Sequence, residues 1–96
     1  MIFRSKSLLV TGGAGFIGSN FINYLFNQYN NINVVNLDLL TYASNLDNLK
    51  NIKDNSRYKF IHGDICDKKL VSQIFLDYQI DGVINFAASI CNFYWD

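Results

Sequence analysis

Proline is absent from the 96 residues, and no Pro-rich or Ser-rich stretch divides the chain, so a single domain at most is expected. Cysteine is scarce. Cys66 and Cys91 form no CxxC, and with one histidine, His62, they are too few to build a zinc site. Cysteine used this sparingly points to a reduced, intracellular compartment. Net charge is missing too: 8 Lys+Arg offset 8 Asp+Glu, and the basic residues are scattered. That leaves no electrostatic footprint for nucleic acid or for an anionic membrane. The start of the sequence, MIFRSKSLLVTGG, has one short apolar run that breaks at glycine, shorter than a signal core or a membrane span. The expectation is a soluble, cytoplasmic chain with neither nucleic acid nor membrane as partner. Its short length implies burial of only about 60–65% of the unfolded surface, and so a thin stability margin.

What is present is concentrated near the start. Four of the six glycines, Gly12, Gly13, Gly15 and Gly18, fall in TGGAGFIGSN, directly after the apolar run Ser7–Val10. Ser5 to Val10 reads as a short buried strand. Gly15 to Tyr29 carries apolar residues at 17, 21, 22, 25, 26 and 29, one broad helix face, with Asn30-Asn31 as its left-handed end. NVVNL (33–37) is a second strand with Asp38 at its end; a short helix is expected near 45–50, and YKFIH (58–62) is a third strand. Asp67 caps a helix whose stripe is Leu70, Val71, Ile74, Phe75 and Tyr78, and GVINFA (82–87) is a fourth strand. Strands alternating with helices imply βαβ units. Right-handed crossovers then give an α/β fold, a partial Rossmann fold with a parallel sheet of about four strands in the order 3-2-1-4 and flanking helices. Ligands in such sheets bind where the strand order reverses, at the carboxyl ends of the strands, and the glycines lie there.

The glycines fit two overlapping templates, Gly13-x-Gly15-x-x-Gly18 and Gly12-x-x-Gly15-x-x-Gly18. Gly12 permits the turn out of the first strand, Gly15 lets a diphosphate approach the backbone, and Gly18 lets the helix lie close to the sheet. The helix then presents free N–H groups and its dipole to the anion. Asp38, twenty residues past Gly18, is placed to accept from adenosine ribose hydroxyls and to repel a 2′-phosphate. The cofactor expected is therefore NAD rather than NADP.

Four blocks, TGGAGFIGSNFI, VVNLDLLTYASNLDNL, FIHGDICD and DGVINFAA, resemble the N-terminal part of the dTDP-glucose 4,6-dehydratases, NAD-dependent members of the extended short-chain dehydrogenase/reductases that act on nucleotide sugars. The resemblance covers about residues 5–88. It implies that Gly12, Gly15, Phe16 and Ile17 wrap the diphosphate, and that Asp38, Leu39, Thr41, Ala43 and Ser44 line the adenosine ribose and nearby phosphate. It further implies that Asp64 and Ile65 border the adenine, and that Phe86, Ala87 and Ala88 run along the rest of the dinucleotide. The chemistry it implies is internal redox. NAD takes a hydride from C4 of the hexose, water leaves across C5 and C6, and the hydride returns to C6.

This sequence departs from the family's pattern in three places. Leu39 stands where the family has a basic residue and Ser44 where it has Gly. After Ala88 the family's Glu-Ser-His-type segment is replaced by SICNFYWD (89–96), which reads as a divergent tail behind a truncated NAD-binding domain (1–88). No tyrosine has a lysine four residues on, so the YxxxK pair that serves as base and pKa-lowering partner is absent from these residues, and no catalytic residue is assigned. Three functions follow as alternatives: a truncated dehydratase retaining an NAD site but inactive alone, a non-enzymatic self-associating protein, or one piece of a split enzyme. The fourth strand is expected to present an open edge and to promote dimerisation through that edge or the sheet face. For His62 the expected place is a buried strand or its end, and for Cys66 simple packing.

Overall fold

The computed structural model describes residues 6–40 and 45–86. Thr41, Ala43, Ser44, Ala87, Ala88, Cys91 and the rest of the tail lie outside them. The elements run β1 Ser7–Thr11, α1 Phe16–Gln28, β2 Asn33–Asp38, a short 3₁₀ turn Leu46–Leu49, β3 Tyr58–His62, α2 Lys68–Tyr78 and β4 Gly82–Asn85. The four strands form one parallel sheet in the order β3-β2-β1-β4, as the alternation of elements implied.

β1 and β2 are central and nearly all of their residues are buried, which is why SLLV and VVNL read as continuous apolar runs instead of alternating ones. Their side chains divide by parity. Leu8, Val10 and Val34 face α1 and pack with Ile22, Leu25, Leu49, Ile52 and Tyr58. Leu9, Val35 and Leu37 face α2 and pack with Ile65, Val71 and Ile74. Truncating any of these central Leu or Ile residues to Ala would cost about 2–5 kcal/mol.

The two helices begin differently. Asp67 accepts from the Leu70 N–H and caps α2. α1 starts at Gly15, with no side-chain cap and no acidic residue in its first turn, so its positive end is left uncompensated. The ends also differ from expectation. No left-handed residue occurs at Asn30 or Asn31; the α1 cap, Tyr29, is extended. Arg57 does the terminating: its Nη1 donates to the carbonyls of Tyr29 (3.3 Å) and Ile32 (3.0 Å), and its guanidinium lies 4.7 Å from the centre of the Phe26 ring. The left-handed cap belongs to α2, at Gln79 (φ 51°).

β4 pairs with β1 alone among the described strands, and Val83 keeps 38% of its surface exposed. Its entry is fixed by Asp81, whose carboxylate accepts from the backbone N–H groups of Lys6 (3.0 Å) and Ser7 (3.1 Å). Among the described residues no helix is long and apolar enough to cross a membrane.

Candidate functional site

At the carboxyl end of the sheet, each exiting chain is tied to its neighbour. The Gly12 N–H donates to the Leu37 carbonyl (3.0 Å), the Gly63 N–H to that of Asp38 (3.1 Å) and the Phe86 N–H to that of Thr11 (2.7 Å). The Thr11 hydroxyl also donates to the Asn85 side chain at 2.5 Å. The glycine loop, Asp38, Asp64 and Phe86 therefore share one rim.

The glycines do different work. Gly12 has φ 72°, the left-handed region that an ordinary side chain resists, and it makes the turn out of β1. A Cβ on Gly18 would lie 2.5 Å from the Gly12 carbonyl oxygen and 2.8 Å from the Gly13 Cα, so Gly18 exists to let α1 approach the loop. A Cβ on Gly13 would overlap the Asn36 side-chain oxygen and Ile22. Gly15 is the exception. Its φ of −72° suits any residue, and a Cβ there meets only the Gly12 oxygen, at an ordinary 3.5 Å. Among the described residues, packing gives no reason for glycine at 15. Phe16 and Ile17, next along the chain, are 78% and 68% exposed although both are large and apolar.

β2 holds the loop from below. Residues 36 and 38 project to the same face. Asn36 accepts from the Gly13 N–H (3.0 Å), and Asp38 accepts from the Ala14 N–H (2.9 Å) through one oxygen and from the Leu40 N–H (2.8 Å) through the other. Leu40 adopts a left-handed φ of 59° to do so. The 3₁₀ turn holds the loop from outside, where the Ala14 carbonyl accepts from the Asn45 N–H (3.0 Å) and the Asn48 side chain (3.1 Å). Among the described residues the N–H groups of residues 12 to 15 are engaged, whereas those of Phe16, Ile17 and Gly18, at the start of α1, have no carbonyl one helical turn behind them within the helix.

Asp38 is thus 5% exposed and already carries two backbone donors. Leu39 is exposed, and its carbonyl lies 3.1 Å from His62 Nε2. His62 itself is exposed at the end of β3, not buried within it. Asp64 accepts from the Cys66 N–H (2.9 Å), which shapes the turn into α2, while Ile65 is buried against Leu9 and Leu37. Phe86 packs on Phe21, ring centres 5.5 Å apart. Cys66 is exposed and disulfide-bonded, which overturns the expectation of a thiol that simply packs; a cysteine outside any CxxC gave no spacing signal for it. No group of three or more metal-ligating side chains occurs among the described residues.

The sequence reading missed the asparagines. Asn36, Asn45 and Asn48 hold the loop, and Asn23 bridges the Ser19 and Asn48 carbonyls. A polar residue inside the apolar run VVNL was the available signal.

The family model described as GDP-mannose 4,6 dehydratase matches residues 9–91. The chain is 48% identical over 81 residues to the dTDP-glucose 4,6-dehydratase of Escherichia coli, covering 84% of this chain and 22% of that protein. To the human dTDP-D-glucose 4,6-dehydratase it is 49% identical over 84 residues, covering 88% and 24%. The dTDP-glucose 4,6-dehydratase of Bacillus anthracis, solved in complex with NAD, superposes with a TM-score of 0.84 at 42% identity, covering 86% of this chain and 27% of that one. The chain therefore spans about a quarter of the length of these relatives.

Proposed function

The chain belongs to the GDP-mannose 4,6 dehydratase family, and from that premise we propose that these residues form the NAD-binding part of a nucleotide-sugar dehydratase of the dTDP-glucose type. The observation that carries the reading is Gly15. Among the described residues nothing requires it to lack a Cβ, and it stands at the uncapped start of α1, beside a buried carboxylate. A diphosphate fits there, because it brings anionic oxygens to the N–H groups of Phe16, Ile17 and Gly18, which find no acceptor among the described residues. The relatives with this fold that were solved with NAD support the same choice.

In this reading Gly12 and Gly15 give the diphosphate its close approach, and Phe16 and Ile17 cover it. Asp38 and Leu39 meet the adenosine ribose with Thr41, Ala43 and Ser44; Asp64 and Ile65 border the adenine; Phe86 leads to Ala87 and Ala88 along the nicotinamide half. NAD supplies a hydride acceptor when bound. The 96 residues contribute binding and orientation, and the base that moves the substrate's proton is not among them, since no YxxxK occurs. On its own, the chain binds cofactor and does not turn over sugar.

Isothermal titration of the purified chain with NAD tests this. Heat of binding with a rise in melting temperature is expected, and it should be reduced by Asp38→Ala, about 5–150-fold in affinity for lost charge-assisted bonds. Neither heat nor thermal shift at millimolar NAD would overturn the reading. The pairing of β4 with β1 alone among the described strands, with Val83 exposed, favours a second property, self-association through that edge. Sedimentation should then show a dimer at high concentration, and a monomer there argues against it.

A further inference from the structure

Asn36 is fully buried in the middle of β2, with apolar Val35 and Leu37 on either side. A buried carboxamide is costly unless its groups are all matched. Here both ends are. Oδ1 accepts from the Gly13 N–H (3.0 Å), and Nδ2 donates to the Tyr58 hydroxyl (3.1 Å) on β3. The same oxygen occupies the place a Gly13 Cβ would need, so residue 13 is glycine to make room for residue 36. Positive φ is not the reason, because only Gly12 has it among the described glycines.

We propose that Asn36 is a positioning residue for the diphosphate loop, holding the Gly13 N–H down toward β2 while Tyr58 fixes which way the amide faces. The proposal deepens the NAD reading and rests on it. With the Gly13 and Ala14 N–H groups both drawn inward, by Asn36 and Asp38, the loop turns so that the next donors, at the start of α1, are the ones presented to an anion. The residue must accept and donate at once. Asparagine does both; an ionised aspartate cannot donate, and leucine can do neither.

The test uses Asn36→Leu, Asn36→Asp and Tyr58→Phe in the full chain, read by amide hydrogen exchange at Gly13, by circular dichroism and by NAD affinity against pH. Asn36→Leu should speed Gly13 exchange and weaken NAD by about tenfold or more while the helices persist. Tyr58→Phe keeps the Gly13 bond but frees the amide to turn, and a smaller loss of a few-fold is expected. Among the described residues, the titratable groups facing position 36 are Asp38 on its own strand and Tyr58 on β3; the glycine loop, Val10 of β1 and Ile22 of α1 bring none. The introduced carboxyl of Asn36→Asp therefore accepts from Gly13 and donates to Tyr58 only while protonated. As pH rises it becomes a second buried anion beside Asp38. Its NAD affinity should fall with pH where the wild type stays level, a profile that mere loosening of the core does not produce.

Wild-type affinity in Asn36→Leu, unchanged Gly13 exchange, or a flat profile for Asn36→Asp would overturn the proposal. Should Asn36→Leu fail to fold, the other two variants decide it. Failure of the wild type itself to bind NAD would sink the cofactor reading, and Gly13 exchange would still report whether Asn36 holds the loop.

Discussion

Replacing glycine by alanine at two positions three residues apart should have opposite effects, and the difference separates glycine kept for packing from glycine kept for a ligand. At Gly18 the added Cβ meets backbone, the Gly12 oxygen at 2.5 Å and the Gly13 Cα at 2.8 Å, and neither can swing aside. Relief requires α1 to back away, which loosens Ile22 and Leu25 from Leu8 and Val10. Overpacking of this kind costs about 1–3 kcal/mol, against a gain of up to about 1 kcal/mol from alanine's preference for helix. The clash outweighs it, leaving a net loss of up to about 2 kcal/mol, and in a chain of this size the melting midpoint drops by up to about 15 °C. At Gly15 the Cβ finds ordinary contact at 3.5 Å and a compatible φ of −72°. Alanine there should leave the fold as stable or raise it by about 0.4–1 kcal/mol, because the unfolded chain loses freedom. NAD affinity should nevertheless fall by tenfold or more, since a methyl now stands where phosphate oxygens must come, and Gly15→Val should abolish binding. Urea denaturation and NAD titration on each variant make the measurement. A Gly18→Ala chain as stable as the wild type, or a Gly15→Ala chain with undiminished affinity, would refute the division of roles.

Three further outcomes are expected. The carboxyl of Asp81 is held below its ordinary value, first by the Lys6 N–H and then by that of Ser7. Its contribution is fully present above the unfolded value of 3.8 and is lost as pH falls through the lower folded value; Asp81→Asn should flatten that acid limb of the denaturation midpoint, and an unaltered limb counts against the β1–β4 tie. The Tyr58 hydroxyl is pushed above 10.0, chiefly by burial, with the Asn36 bond opposing and the Asp38 charge adding to it. Stability should therefore decline as pH passes about 10, where the unfolded chain gives up its proton first, and Tyr58→Phe should remove this alkaline decline. Arg57→Lys keeps the charge but loses the planar group that reaches two carbonyls and stacks on Phe26, so a loss of about 1–2 kcal/mol by chemical denaturation is expected. Equal stability would mean that α1 ends without Arg57's help.

Strand order and the place of the glycine loop were legible because they follow from local patterns: apolar runs, helical spacing and small residues at a turn. Asp67 was legible for the same reason, since a cap is read from one side chain and the next turn. What escaped depends on partners distant in sequence. Arg57 ends a helix that closed almost thirty residues earlier, so Asn30-Asn31 looked like the stop signal when it was not. Asn36 seemed a mere interruption of an apolar strand, because its two partners lie 23 residues before it and 22 after. Asp38 was singled out from its spacing as a ribose ligand, while its grip on Ala14 and Leu40 needed the fold. The glycine template already assigned Gly15 to the diphosphate and Gly18 to close packing of the helix; the fold adds the contacts, backbone within 3 Å of a Cβ at Gly18 and only ordinary contact at Gly15 among the described residues.

The strand order carries a consequence for biosynthesis. β1 lies between β2 and β4, and its second edge is closed by residues some 74 positions downstream, Leu8 meeting Gly82 and Thr11 meeting Asn85. A ribosome adding roughly 5–20 residues per second leaves that edge bare for seconds after β2 has emerged. During this interval the nascent chain offers a short, apolar, half-satisfied strand to whatever else is nearby, a chaperone or another nascent copy. Among the described strands, β1 waits longest for its second neighbour.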